Sequence, residues 1–308
     1  MKLKKPIYSN TSLTKSNQSN STASGPDFGS LVLIATPIGN LNDFSLRAKQ
    51  AIQEADILLC EDTRVTAKLL AAYGLSVKME SLHEHNETQR TEQIISWLNQ
   101  GKKIALVSDA GTPLLSDPGY RLSKAVIDAD IPISAIPGPN AALMALTLSG
   151  LPPHPYMFVG FPPPKSTARQ SSFAILKAAE RAGLQSTLIW HEAPHRLVDM
   201  LQDLALIFGQ DRPAAVAREL TKKFEEIQRN TLQGLIEHFT SIPPRGEITV
   251  LIGPKPQKET LSDDDLDQHL LEALKTMSVK DAAATISTAV HLPKKIIYQR
   301  ALELSKIR

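Results

Sequence analysis

Val107-Ser108-Asp109-Ala110-Gly111-Thr112-Pro113-Leu114-Leu115-Ser116-Asp117-Pro118-Gly119 is the stretch whose reading decides the fold. The apolar run 104–107 leading into it reads as a buried strand, and a helical pattern resumes at Tyr120. A polar, glycine-bearing loop at the carboxyl end of a strand is where open α/β sheets bind ligands. Gly111 and Gly119 reach backbone conformations closed to other residues, so main chain can approach a ligand, and Asp109 and Asp117 place carboxylates toward the two ends. A rigid turn with aspartate caps has the same composition, so this loop alone leaves a ligand site and a structural turn both open.

Two further loops repeat the arrangement. Residues 31–35 read as a short buried strand ended by Thr36-Pro37-Ile38-Gly39-Asn40-Leu41-Asn42-Asp43, with helical periodicity over 44–52 and Asn42 or Asp43 as its cap. Residues 133–136 read as a strand ended by Pro137-Gly138-Pro139-Asn140-Ala141-Ala142, where two prolines stiffen the chain and two alanines open a helix without bulk. A strand, a glycine turn and a capped helix make an anion or nucleotide cradle. The loop after residue 35 has neither G-x-G-x-x-G nor G-K-[ST], which disfavours dinucleotide and P-loop sites.

Residues 56–60 and 77–82 read as strands. The first ends in Glu61-Asp62-Thr63-Arg64 before a helix over 65–73, with Asp62 or Thr63 available as cap. The second ends in His83-Glu84-His85-Asn86-Glu87, whose two histidines are spaced for one face of a strand rather than as an i, i+4 metal pair. A solvated loop or substrate-facing patch is expected there, and no metal. Helices over 88–99 and 120–129 complete an alternation that describes a parallel, doubly wound domain over 31–150, its special loops on one rim.

Leu151-Pro152-Pro153-His154-Pro155 is a stiff linker into a second α/β domain, 151–256. Arg169, Arg196, Arg218, Lys222 and Lys223 bring positive charge to its loops, a composition that suits a phosphate backbone and equally an ordinary charged surface. Residues 257–308 read as a small helical module with start signals at Ser278 and near Pro293. With Lys294, Lys295 and Arg300 on its last helix, it is either a helix-turn-helix docking on nucleic acid or a packing module. Residues 1–30, rich in Ser, Thr and Asn, read as a disordered tail without the apolar core of a signal peptide. Cys60 is the single cysteine of the 308 residues, which excludes an internal disulfide framework and a Cys-based zinc site and fits a reducing cytoplasm. No run approaches the roughly 18 apolar residues of a membrane span.

The segments T-P-I-G-N-L, E-D-T-R, H-E-H-N-E, S-D-A-G-T-P-L-L-S-D-P-G-Y, P-G-P-N-A-A, G-F-P-P, H-E-A-P-H-R-L, A-R-E-L-T-K and R-G-E occur in one order. Together they resemble the ribosomal RNA small-subunit methyltransferase I family, of the tetrapyrrole methylase fold group (class III S-adenosylmethionine methyltransferases), over roughly 31–253. The C-terminal helices resemble that family's helix-turn-helix addition. The resemblance implies two α/β domains with S-adenosylmethionine folded between them, a homodimer, and methylation of a cytidine 2′-hydroxyl in the 16S rRNA of the small ribosomal subunit. It assigns Thr36, Pro37 and Gly39 to the surroundings of the reacting methyl. Asp109, Ala110, Gly111, Pro113, Ser116 and Asp117 go to the methionine and ribose portions, and Pro137, Gly138, Ala141 and Ala142 to the ribose and adenine. Glu192 and Glu247 close from the second domain; His83, Arg196, Arg218 and Lys222 are expected on RNA. Asn140 stands where a smaller residue is usual, and Trp190-His191 where an aromatic followed by Tyr is commoner.

A ribose hydroxyl must lose its proton as it is methylated, and Glu61 or Asp62 is the expected base or orienter, with Arg64 keeping a carboxylate ionised. Three rivals remain at this level. A same-fold methylase of a small tetrapyrrole-like substrate needs neither the basic loops nor the C-terminal helices. A carboxylate-and-Mg²⁺ phosphoesterase would use Asp109 and Asp117, and a non-enzymatic RNA-binding protein would leave three special loops without purpose. Cofactor binding separates that last reading from the two methylases, and the acceptor separates the methylases from each other.

Overall fold

Buried apolar runs and the loops that end them build the first half of the chain in the computed structural model, which describes residues 29–256, 263–290 and 293–306. The expected tail up to residue 28 and residues 257–262, at the start of the expected helical module, lie outside the described residues. The elements are β1 (Ser30–Ile34), α1 (Leu46–Glu54), β2 (Ile57–Cys60), α2 (Thr63–Tyr73), β3 (Met79–Ser81), α3 (Glu87–Asn99), β4 (Lys103–Val107), α4 (Tyr120–Asp128), β5 (Ile133–Ile136) and α5 (Ala141–Ser149). The sheet runs β3-β2-β4-β1-β5 and every pairing is parallel, as the alternation predicts.

Both faces of this sheet are covered, so its inner strands are apolar apart from Ser30 and Lys103, which open β1 and β4. Ile57 and Leu59 of β2 join Ile104 and Leu106 of β4 in one core, while Leu58, Cys60, Ala105 and Val107 enter the other. That is the period-two alternation of a strand, with apolar residues on both faces. The order also fixes where a ligand belongs. β1 and β4 are neighbours, yet the chain leaves β1 toward β2 on one side and leaves β4 toward β5 on the other. Their loops therefore part at a topological switch point, the usual crevice for ligands in such sheets.

One boundary differs from expectation. Neither Asn42 nor Asp43 caps the first helix: Leu41–Asp43 form a short 3-10 turn capped by Asn40. α1 starts at Leu46, with the Ser45 hydroxyl accepting from Ala48 N at 3.1 Å. Phe44 is buried, and sinking its ring into the core separates the turn from the helix.

The second half holds β6 (Tyr156–Gly160), α6 (Ser166–Arg181), β7 (Thr187–Glu192), α7 (Leu197–Phe208), β8 (Pro213–Arg218), β9 (Glu226–Thr231), α8 (Leu232–Ser241) and β10 (Ile248–Ile252). Its sheet runs β6-β7-β10-β8-β9 and only β6 with β7 is parallel. α6, α7 and α8 supply Phe173, Leu204, Phe208, Leu232 and Phe239 to a core with Trp190 and Val250 of the sheet. The compact units divide at Met144/Ala145, and Glu219–Glu225, between β8 and β9, group with the first unit. α9 (Asp263–Ala273), α10 (Val279–Val290) and α11 (Lys294–Lys306) pack around Leu270, Ala283, Ile297 and Ala301. Ser278 accepts from Asp281 N, as its start signal predicts, and Arg300 ties α11 to Asp267 of α9 instead of pointing outward. Among the described residues no helix is long and apolar enough to cross a membrane.

α6 and α7 are joined by a buried ion pair. Arg169 Nε donates to Asp203 at 2.7 Å, and the same carboxylate accepts from Ser166 and Gln170. Both partners are almost fully buried, so removing one strands a charge in the core. Asp203→Ala is expected to lower the unfolding free energy by about 3–5 kcal/mol in chemical denaturation. Replacing both groups, as Arg169→Met with Asp203→Leu, should recover most of that loss.

Candidate active site

The site is assembled from loops that bond to one another. Thr36 N donates to Gly111 O at 2.8 Å and Gly111 N returns a bond to Thr36 O at 3.1 Å. The Thr36 hydroxyl donates to Ser108 O at 3.1 Å, and the Ser108 hydroxyl donates to Gly111 O at 3.2 Å. The third loop joins through Thr112, which donates to Pro139 O at 3.1 Å and accepts from Asn140 Nδ2 at 3.3 Å. Asn140 also accepts from Leu143 N at 2.9 Å at the start of α5. The residue that departs from the family's usual small one thus closes a contact between two loops. Gly138 lies so close to β1 that a Cβ there would sit 2.9 Å from the Cβ of Ala35. Leu114 and Ser116 hold left-handed backbone angles, φ 73° and 70°, a strain that persists only where surroundings impose it.

Carboxylates converge beside these loops. Asp109 accepts from Asp62 N at 3.1 Å, which ties the loop after β2 to the loop after β4. Asp62 itself caps α2 through Arg64 N at 2.8 Å, and its two oxygens also take the Arg64 guanidinium. Those hydrogen bonds hold its carboxyl down at about 2. Glu61, one residue earlier, is shifted the other way, by burial and then by the charge of Asp109. Burial, followed by the charge of Glu61, pushes Asp117 up to about 6. His83 opposes the upward shift of Glu61 with its own charge, and its buried Nδ1 has no hydrogen-bond partner. Among the described residues no group of histidines, cysteines and acids is placed to hold a metal ion.

A cavity of about 280 Å³ opens against this rim, lined by Thr36, Pro37, Gly39, Ser108 and Asp109 and walled by α2 through Val65 and Leu69. Ser108 and the α2 wall were not singled out from the sequence. The signal for the α2 wall was the i, i+4 spacing of Val65 and Leu69. Lys222 covers Gly39, where any Cβ would collide with its side chain, and pairs with Glu219 at 2.9 Å.

In the second unit, the carboxylate of Glu192 is fully buried. Its Oε1 accepts from Ala193 N and Arg196 Nε, both at 2.7 Å, and Oε2 has no partner. Arg196, expected on RNA, is therefore turned inward. Arg218 behaves alike, pairing with Glu226 at 2.7 Å and reaching Arg245 O. Glu247 is exposed, and its charge opposes the burial that lowers the proton affinity of His191. His191 meets the rings of Phe158 and Phe161 and hydrogen-bonds Thr249 at 3.1 Å.

Comparison with known proteins agrees with this architecture. Residues 30–236 match the family described as Tetrapyrrole (Corrin/Porphyrin) Methylases, and residues 260–305 match the RsmI C-terminal HTH domain. A ribosomal RNA small subunit methyltransferase I of Mesorhizobium japonicum is 43% identical over 89% of this chain and 92% of its own length. Its namesake in Synechocystis is 41% identical over 90% and 98%, and that of Escherichia coli O157:H7 39% identical over 89% and 95%. Among solved structures, a cobalt precorrin-4 methyltransferase superposes with a TM-score of 0.53 at 17% identity, over 73% of this chain and 94% of that one. A Thermus thermophilus uroporphyrin-III C-methyl transferase complexed with S-adenyl homocysteine superposes with 0.51 at 17% identity, over 73% and 97%. These likenesses establish the fold, and the sequence matches place the chain within it: it belongs to the tetrapyrrole methylase family and, inside that family, to the ribosomal RNA small subunit methyltransferase I group.

Proposed function

We propose that the protein transfers a methyl group from S-adenosylmethionine to the 2′-hydroxyl of a cytidine in 16S rRNA, on the small ribosomal subunit and in the cytoplasm. The observation that carries this reading is the rim of three cross-bonded loops with Glu61, Asp109 and Asp117 beside it, in a chain whose relatives are named for that rRNA. The donor set fits the cofactor. Main chain and small side chains at Thr36, Pro37, Gly39, Ser108 and Asp109 line the cavity of about 280 Å³; the loop at 109–113 bonds to Thr36, and the loop at 137–142 bonds to Thr112. The nearby carboxylates suit a group carrying sulfonium and ammonium charge, where a pyrophosphate would be repelled. Thr36, Pro37, Gly39, Asp109, Ala110, Gly111, Pro113, Ser116, Asp117, Pro137, Gly138, Ala141 and Ala142 are the proposed contacts, with Glu192 and Glu247 from the second unit. When bound, S-adenosylmethionine supplies an electrophilic methyl.

The protein's own residues do the rest. The cross-bonded loops fix geometry in advance, and alignment of this kind supplies on the order of 7–11 kcal/mol toward a displacement. The hydroxyl proton goes to Glu61. A useful base has a proton affinity near the working pH; burial and Asp109 move Glu61 toward that range, whereas Arg64 holds Asp62 at about 2. The charge of Glu61 in turn adds to the burial that raises Asp117, which is proposed to face the cofactor. A homodimer, as the family resemblance implies, would cover the exposed apolar side chains of Tyr156, Met157 and Val159 on β6.

The direct test offers tritiated S-adenosylmethionine and small subunits from cells lacking this gene. Label in one 2′-O-methylcytidine is expected; bound cofactor with no labelled RNA would refute the acceptor. Single-turnover rates should rise with pH as Glu61 ionises, above the ordinary carboxylate range, and then level off. Glu61→Gln should lower the plateau by about 10²–10⁴-fold while Asp62→Asn leaves it nearly unchanged; a wild-type rate for Glu61→Gln removes Glu61 as base.

Asp117→Asn has a stability consequence of determined sign. The folded state binds the Asp117 proton more tightly than the unfolded chain, so ionising it weakens folding as pH rises from 3.8 to about 6. The variant should therefore unfold at higher temperature than wild type above pH 6 and match it below about pH 4, which calorimetry across pH reads directly.

A further inference from the structure

We propose that Glu219–Glu225 is a rigid RNA-reading tip, in which Phe224 stacks on an unstacked base of the substrate strand and Lys223 meets the adjoining phosphate. This rests on the rRNA acceptor proposed above and adds to it the group that holds the strand.

The segment joins β8 to β9 yet groups with the first unit. Leu220 anchors it by burial, and two turns close it, Lys222 N to Glu219 O at 3.0 Å and Glu225 N to Lys222 O at 3.1 Å. The Glu225 carboxylate accepts from Thr221 N at 2.7 Å. Glu219 and Thr221 both hold left-handed angles, φ 51° and 66°. A β-branched residue in that region is strained and persists only where its neighbours force it. The segment packs directly on Gly39: a Cβ there would collide with Lys222 and lie 2.9 Å from Thr221 Oγ1. Thr221 Oγ1 is buried and has no hydrogen-bond partner. The segment is thus seated on the Thr36–Gly39 loop and cannot shift without moving the candidate active site.

Its far end is bare. Phe224 is 64% exposed, and Lys223 lies against its ring, 5.5 Å from the centroid. Among the described residues Lys223 has no carboxylate partner, in contrast to Arg196 and Arg218. An aromatic face beside a lysine is the pairing by which proteins hold single-stranded RNA, the ring taking a base and the ammonium its phosphate. A lone exposed phenylalanine is ordinary. One fixed by strained backbone against a catalytic loop is placed for use. The segment adjoins the Thr36–Gly39 loop that lines the candidate cavity, so a base stacked on its ring would hold the strand near that loop.

The test compares wild type, Phe224→Ala, Phe224→Trp and Lys223→Gln. It reads binding to unmethylated small subunits, methyl transfer, cofactor binding and the thermal midpoint. Phe224→Ala should weaken subunit binding and raise the KM for subunits about 5- to 150-fold, with cofactor binding and midpoint unchanged. Phe224→Trp should restore both, and Lys223→Gln should reduce the salt dependence of binding by about one ion. Unchanged subunit binding by Phe224→Ala overturns the proposal, as does a loss accompanied by lost cofactor binding or a lower midpoint. Binding that depends on Phe224 without label in 2′-O-methylcytidine would refute the proposed function and keep the tip. Full label transfer by Phe224→Ala at wild-type KM would refute the tip alone.

Discussion

Two backbone hydrogen bonds between Thr36 and Gly111 hold the candidate site together. β1 and β4 pair side by side up to Ile34 and Val107, but their connections leave in opposite directions, so beyond those residues the sheet no longer holds the two loops together. Both residues are buried, and a buried backbone group without a partner costs most of a hydrogen bond's desolvation. The bridge satisfies four such groups at once and thereby fixes the spacing of the loops. Everything else follows in register. Ser108 is locked from two sides, Asp109 reaches Asp62 N, and Thr112 meets Pro139 and Asn140. A site fixed before its ligands arrive loses little ordering entropy when they bind.

Glu61 and Asp62 show how local surroundings divide labour between adjacent carboxylates. Asp62 faces Arg64 and the amino end of α2, where the charged form is stabilised and the group becomes a cap. Glu61 turns toward Asp109 and burial, where the charged form is disfavoured and the proton is held more tightly. Opposite shifts in paired acids are a mark of assigned roles in acid–base chemistry. The fold carries a cost for this, since crowding Glu61, Asp109 and Asp117 works against stability at neutral pH. The apolar cores on both faces of the first sheet and the buried Arg169–Asp203 pair of the second unit are where stability resides instead.

Much of this was legible in the residues. The all-apolar runs of β2 and β4 announce strands covered on both faces, and glycines and prolines past β1, β4 and β5 mark loops that carry function. The motif order then gave the family. Local competition hid the first cap, because Asn40, Asn42, Asp43 and Ser45 all have capping side chains and only the burial of Phe44 selects Ser45. Partnership across space hid more. Arg196 and Arg218 look like free cations along the chain, and nothing in one dimension shows Glu192 and Glu226 facing them. The upward shift of Asp117 likewise comes from burial and from Glu61 on another strand's loop. The antiparallel half of the second sheet follows from β8 and β9 being joined by too few residues for a crossover helix, but the departure of Glu219–Glu225 to the first unit is a tertiary event without a local signature.

Those ion pairs constrain how the protein can hold RNA. Phosphate contacts give sequence-independent affinity in proportion to the cations offered, and here the overall charge is only +2. Arg196, Arg218 and Lys222 are each engaged by a carboxylate. A surface whose cations are paired in this way offers fewer free charges to a phosphate backbone. Its discrimination has to come from shape and from contacts with unstacked bases, the mode in which proteins read structured RNA. Such contacts are useful only when the side chain that makes them is held still relative to the reacting centre. The seating of Thr221 and Lys222 on Gly39 meets that requirement for the segment carrying Phe224. It also explains why strained backbone is retained in a connection that an ordinary hairpin turn could have closed.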